Sequence, residues 1–295
     1  MASCSFTSCM ASCSFTSQPA AADAPRPPQL QFTLVQPTTG LGEPLIIKYQ
    51  FTNLEQRRVN IFMGKDEDPW LNMKMSDATG HPVPDIPDPK PTKGGIYTSG
   101  TAVDADGQTK GYIVVSRKFQ PTMPGQYRLS LLTHLVDSWD DTPGENTTDD
   151  QSFSLLITVT ARNPQKLLAV AEGLRQTVIH NNVGGDKLAT KELFSMRDPV
   201  CLPVWRELAL DPTLDPWRAT DVMDALAKVG STSAADLLVE MQSVAPERWT
   251  QTGYPPLDAL ESMKYDAAPN LKKHINQLLV DHGFETDQPI RGSAN

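Results

Sequence analysis

Once the first 13 residues are passed, cysteine almost disappears from this chain: of four, only Cys201 lies beyond Cys13. A disulfide framework across the body of the protein is thereby excluded, and cysteine usage leaves the redox compartment open. Positive charge is in deficit. Lys and Arg total 26 against 35 Asp and Glu, which gives a net charge of −9 and a pI near 5.0. That balance argues against nucleic acid, whose phosphates demand a basic surface. No apolar run approaches the ~18 residues of a membrane-spanning helix, so no membrane span is expected. Reactive signatures are missing too: there is no GxSxG, HExxH, P-loop, GxGxxG or CxxC. These absences point to a non-catalytic protein without a resident cofactor, whose partner is another protein or a peptide.

What the N-terminus holds is repetition. Met1–Ser8 recurs unchanged at Met10–Ser17. The first 25 residues contain no Lys or Arg, and their apolar residues are isolated by Ser, Thr and Cys. They lack the basic and apolar regions of an export signal. Met-Ala-Ser-Cys echoes the small-small-Cys ending of a bacterial lipoprotein signal, without the hydrophobic segment that precedes one. Cys4, Cys9 and Cys13 also suggest soft metal ligands, but a fourth ligand, a CxxC pair and a nearby His are lacking. Polarity and low complexity favour a disordered tail. The duplication, Met included, points to a repeated or misplaced start. Gln18 to Pro28 is Ala- and Pro-rich, so residues 1–28 read as tail and linker. No signal peptide is recognisable, although an extracytoplasmic or cell-envelope location is expected.

From Leu30 the hydrophobic period is two. Leu45, Ile47, Tyr49 and Phe51 share a face, as do Leu71, Met73 and Met75. Val59, Ile61 and Met63 form another set. Tyr112 and Val114 alternate with Ile113 and Val115. Tyr127, Leu129 and Leu131 follow Met123-Pro124-Gly125, and Phe153, Leu155, Ile157 and Val159 line a last strand. Seven or eight short strands divided by Gly, Pro, Asn and Asp predict an antiparallel β-sandwich over residues 29–161. GEPLIIKYQFTN resembles the strand-B entry of bacterial immunoglobulin-like (Ig-like) domains, and PGQYRLSL resembles their strand-F entry. The resemblance implies an Ig-like sandwich in which Tyr127 is the corner tyrosine that ties a loop to the sheet. The inter-sheet cysteines of antibody domains are absent.

Near Arg162 the period becomes about 3.6. Asn163-Pro164 opens a helix with the stripe Leu167, Val170, Ala171, Leu174 and Val178, and Gly184-Gly185 ends the unit. Asp198-Pro199 opens a second helix, carrying Cys201, Trp205 and Leu208. Asp215-Pro216 opens a third, closed by Gly230. A fourth carries Leu237, Leu238, Met241 and Val244. A short helix over 257–263 and a last one over 270–282, stopped by Gly283, complete about six. Paired short helices of this kind resemble HEAT-like repeats, closest over DPVCLPVWRELALDPTLDPWRATDVMDALAKVGSTSAADLLVEM. That resemblance implies a HEAT-like helical array over 162–286, with 287–295 a second disordered tail. An irregular helical bundle is the alternative. The fold class is thus multidomain, β then α.

Site candidates are few. Asp137, Asp140, Asp141, Glu145, Asp149 and Asp150 concentrate hard oxygen ligands in one expected loop, which suits weak calcium binding, although the spacing matches no EF-hand. A solvated acidic turn is the plainer reading. An alternative function follows from the same stretch: an enzyme or enzyme accessory with a metal-assisted site assembled from distant residues around His134 and Asp137. Asn146-Thr147-Thr148 is a glycosylation sequon, relevant only in a secreted eukaryotic protein. His81, His134, His180, His274 and His282 show no ligand spacing, and His274 and His282 suggest structural roles. Cys201 sits in an apolar stripe and reads as a small buried hydrophobe. In HPVPDIPDPKP the prolines predict a stiff polyproline II segment, either a ligand for an aromatic groove or the rigid cross-over of a long loop.

Overall fold

The computed structural model describes residues 29–54, 58–61, 71–86, 101–136, 148–180, 187–244, 246–250 and 253–283. Alternation in the sequence is realised as strands β1 (Gln29–Leu34), β2 (Thr38–Gly40), β3 (Ile46–Thr52), β4 (Val59–Ile61), β5 (Leu71–Asp77), β6 (Thr101–Val103), β7 (Gln108–Val114), β8 (Gly125–Val136) and β9 (Thr148–Thr160). One sheet has the order β1-β3-β7 and is antiparallel. A second has the order β2-β9-β8-β5 and is mixed, because β2 pairs with β9 in parallel. β4 and β6 form a separate antiparallel pair.

The two larger sheets share one core. Phe32, Ile47, Phe51 and Ile113 of the first meet Met73, Leu129, Leu131 and Ile157 of the second. Each strand turns alternate residues inward, so a single apolar face per sheet suffices to build it. Tyr127, at the start of β8, is buried, and its hydroxyl donates to the carbonyl of Met123 at 2.7 Å, fastening the preceding loop.

Alternation fails at one informative place. Tyr112 is half-exposed, yet Ile113, Val114, Val115 and Ser116 are all buried. The chain leaves the strand there and tightens into a 3-10 turn, Val115–Arg117, enclosed on both sides. Tyr112 therefore faces outward rather than into the core. The Pro-rich stretch is described as far as Ile86. The Val83 amide donates to Met75 at 2.8 Å and the Ile86 amide to Lys118 at 2.7 Å, so this part crosses from β5 to the 3-10 turn.

The second half contains α1 (Pro164–His180), α2 (Lys187–Ser195), α3 (Leu202–Leu210), α4 (Pro216–Val229), α5 (Thr232–Val244), α6 (Pro246–Thr250), α7 (Pro256–Asp266) and α8 (Pro269–Asp281). Two of these exceed the about six expected: α2 and α6 have no counterpart in the sequence reading. Contacts arrange the helices in two layers. α1, α3, α5 and α8 follow one another in the first layer, and α2, α4 and α7 in the second. Leu167, Leu193, Trp205, Leu226, Leu238 and Ile275 lie in the continuous core between them. Asp198 caps the 3-10 turn Pro199–Cys201 that leads into α3, accepting from the Val200 amide at 2.9 Å. Among the described residues, no helix is long and apolar enough to cross a membrane.

Candidate functional site

Of the six acidic residues expected to share a loop, Asp137, Asp140, Asp141 and Glu145 lie outside the described residues. Asp149 and Asp150 do not belong to a loop. They fall in β9, opposite Leu135 and His134 of β8, because the hairpin ladder runs on to Thr148. The sequon lies outside the described residues apart from Thr148, as do Cys4, Cys9 and Cys13. Cys201 is fully buried, and that burial pushes its thiol up to about 12, which leaves it protonated and unreactive at neutral pH. The histidines are dispersed. His81 contacts Thr79 and Asp77 on an exposed turn, His180 contacts the Gln176 carbonyl, and His274 Nε2 lies 2.7 Å from Asp236 Oδ1, linking α8 to α5. Among the described residues, no group of three or more His, Cys, Asp or Glu could hold a metal ion.

Two other assemblies stand out, one where the halves meet and one on the second helix layer. The first is a polar junction. Beyond β2 the chain turns through Gly40–Glu43, with the Leu41 amide donating to Thr160 at 3.1 Å. Gly42 has φ +87°, and a Cβ there would lie 3.3 Å from Leu167 of α1 and 3.5 Å from the Asp198 carboxylate. Only glycine meets both the left-handed backbone and this close approach. The Glu43 side chain is 6% exposed and accepts from Lys166 Nζ at 2.8 Å. Asp198, 9% exposed, accepts two hydrogen bonds from Arg162, at 2.5 and 2.7 Å. That bidentate pairing holds the Asp198 carboxyl below the usual range against the opposing effect of burial.

A hydroxyl relay completes the junction. Ser116 accepts from the Leu45 amide at 3.1 Å and donates to Ser195 at 2.9 Å, and Ser195 donates to the Glu192 carbonyl at 2.7 Å. Arg197 of the helical half reaches the carbonyl of Arg117 in the β half at 3.1 Å. A small crevice runs alongside, lined by Thr39, Leu45, Ser116, Phe119, Gln120 and Ser195. The carboxylates and hydroxyls of this junction are all hydrogen-bonded within it. Its chemistry is that of a fastening.

The second assembly is an acidic face on the second helix layer. Asp221 and Asp224 are one turn apart on α4, and Asp258 and Glu261 one turn apart on α7, which packs against α4. Asp221 is exposed at the surface, with protein packed close beside it. That environment, with Asp224 beside it, pushes its carboxyl up to about 6, against the pull of Arg117 and Arg218. Burial and Glu261 raise Asp258. Tyr254 donates a hydrogen bond to Asp224, and desolvation followed by the nearby carboxylates raises its hydroxyl far above the usual tyrosine value. The like-charged pair on each helix, with Tyr254 beside both Asp224 and Asp258, favours a basic segment, whose arrival relieves the repulsion. Sequence reading missed this face. The Asp-x-x-Asp and Asp-x-x-Glu spacings are visible in the chain, but nothing local shows that the two turns face each other.

The sequence matches no known protein family and no curated relative. Among solved structures, the chain is similar to the CARDB domain of a Pyrococcus furiosus protein in complex with di-metal ions. The identity is 11% and the TM-score 0.25, over 46% of this chain and 94% of that one. The Bacillus subtilis sporulation control protein Spo0M is 11% identical, with a TM-score of 0.26, over 50% of this chain and 55% of that one. Salmonella alpha-2-macroglobulin reacted with methylamine is 12% identical, with a TM-score of 0.27, over 87% of this chain and 22% of that one. Likenesses this loose carry no functional implication for this chain.

Proposed function

We propose that this chain is a non-catalytic interaction or scaffolding protein of the bacterial cell envelope, an Ig-like β-sandwich that mounts a HEAT-like helical array at a set angle. The observation that carries the reading is the junction. Glu43–Lys166, Arg162–Asp198, Ser116–Ser195 and Arg197–Arg117 spread over several elements of both halves. Fixing one module against another in this way serves presentation of a surface and contributes nothing to a reaction.

The sheet orders support the Ig-like part. β1-β3-β7 corresponds to strands A-B-E of such sandwiches and β5-β8-β9 to C-F-G, with Tyr127 in the position of the corner tyrosine. The two-layer succession of helices, each leaning on the next, supports the HEAT-like part. On this reading the acidic face of α4 and α7 docks a basic segment of a protein partner. Affinity capture from native extract, with the full chain as bait, tests it. The expected result is a partner retained by the wild type and lost from an Asp221→Lys, Asp224→Lys double variant. Capture of nothing by the wild type would overturn the interaction reading, and equal capture by both would remove the acidic face from it.

A further inference from the structure

The outward face of the β1-β3-β7 sheet is polar and carries no carboxylate at its strand positions. Its three strands present three rows of side chains. Lys48 stands opposite Tyr112, Gln50 stands between Gln31 and Lys110, and Gln108 closes the far row. None of the nine outward positions, at 29, 31 and 33, at 48, 50 and 52 and at 108, 110 and 112, is acidic, on a chain of net charge −9. Their side chains have no hydrogen-bond or ion-pair partner among the described residues. Tyr112 is 43% exposed, with its ring at the edge of the patch. One row further on, Val114 is only 1% exposed, because α2 packs against β7 there and ends the open face in a step.

We propose that this face binds an acidic polysaccharide, with one sugar ring stacked on Tyr112, hydroxyls on the amides of Gln31 and Gln50, and carboxylates at Lys48 and Lys110. Each amide offers a donor and an acceptor together, as each sugar hydroxyl does. The tyrosine ring is electron-rich on its face and takes the C–H face of a pyranose. Asp104 and Asp106 lie in the turn before Gln108, at the end of the face away from Lys48 and Tyr112, and at physiological salt charges beyond about 8 Å are largely screened. Size separates this ligand from a protein. Strands lie about 4.8 Å apart and alternate residues about 6.7 Å apart, so the patch measures roughly 10 by 14 Å. A stable protein interface needs about 800 Å² per partner, several times that area. A linear polymer needs only a narrow track. The proposal is independent of what the helical half binds.

Native gel electrophoresis of the full chain through polygalacturonate tests it, with polyglutamate and a neutral glucan in parallel gels. Retardation is expected in polygalacturonate alone. Tyr112→Ala should weaken it at least tenfold, and Tyr112→Phe should preserve it. A Lys48→Gln, Lys110→Gln double variant should weaken it about tenfold and flatten its salt dependence. All these positions are surface-exposed or half-exposed, and an unchanged melting temperature will show that each variant folds. Absence of retardation in polygalacturonate, retardation indifferent to both Tyr112→Ala and the lysine pair, or equal retardation in polyglutamate would each overturn the proposal.

Discussion

Replacing Asp198 by Ala removes three hydrogen bonds at once: two from Arg162 and one from the Val200 amide. Loss of a helix-start cap together with a charge-assisted pair should cost about 3 kcal/mol, measured by urea denaturation. Because the folded carboxyl lies below its ordinary value, this stabilisation is present at neutral pH and is lost as acid protonates Asp198. Asp221 has the opposite sign. Its folded value of about 6 lies above the ~3.9 of an unfolded aspartate, so the folded state takes up a proton. The charged form therefore weakens the fold above pH ~6. Asp221→Asn should raise the melting temperature at pH 7.5 by about 1–2 °C, a small gain because the group touches solvent, and the gain should vanish below pH ~4. An unchanged melting temperature at pH 7.5 would contradict the described surroundings of Asp221. Tyr127→Phe should cost about 1 kcal/mol, the worth of one hydrogen bond to the loop.

At the scale of elements, strands and capped helices are legible in the chain. Leu45-Ile47-Tyr49-Phe51 and Leu271-Ile275-Leu279 repeat with the period of a strand and of a helix, and all these residues are buried. Asp198-Pro199 and Asp215-Pro216 announce their helices through side-chain capping and a proline suited to the first turn. What is not legible is α2. It has nine residues and no Asp-Pro pair to announce it, Asp186 being followed directly by Lys187. Its reason for being helical is tertiary: Ala189 and Leu193 complete the helical core, while Ser195 reaches into the β half. The same gap hid part of the junction, since α2 carries Ser195, and the acidic face needs α4 and α7 brought together although 26 residues separate Val229 from Pro256. Leu193→Ala should therefore cost about 2–5 kcal/mol, as for other fully buried leucines. A loss below 1 kcal/mol in urea denaturation would show that α2 is a surface attachment.

For the whole molecule, the junction predicts that the halves melt together. Far-ultraviolet circular dichroism, dominated by helix, and the near-ultraviolet signal of Trp and Tyr should give coincident transitions. The last strand ends at Thr160 and α1 begins at Pro164, so residues 29–161 contain every strand of the β half. Expressed alone, that segment should retain a β spectrum and melt several degrees lower than the intact chain. The cause is specific. Glu43, Ser116 and Val114 would be uncovered, the first without Lys166 and the second without Ser195. A fragment as stable as the intact chain would show that the junction orients the halves without stabilising them.

The parallel pairing of β2 with β9 bears on tension. Residues 38–40 run alongside 158–160 in the same direction, and β9 passes directly into the helical half. A pull applied between the N-terminus and the helical array drags β2 one way and β9 the other along their common axis. The hydrogen bonds of this short ladder then carry the load side by side and must rupture together, whereas an antiparallel hairpin pulled open from its free ends unzips one bond at a time. The chain is thus held most firmly at the point through which traction would pass.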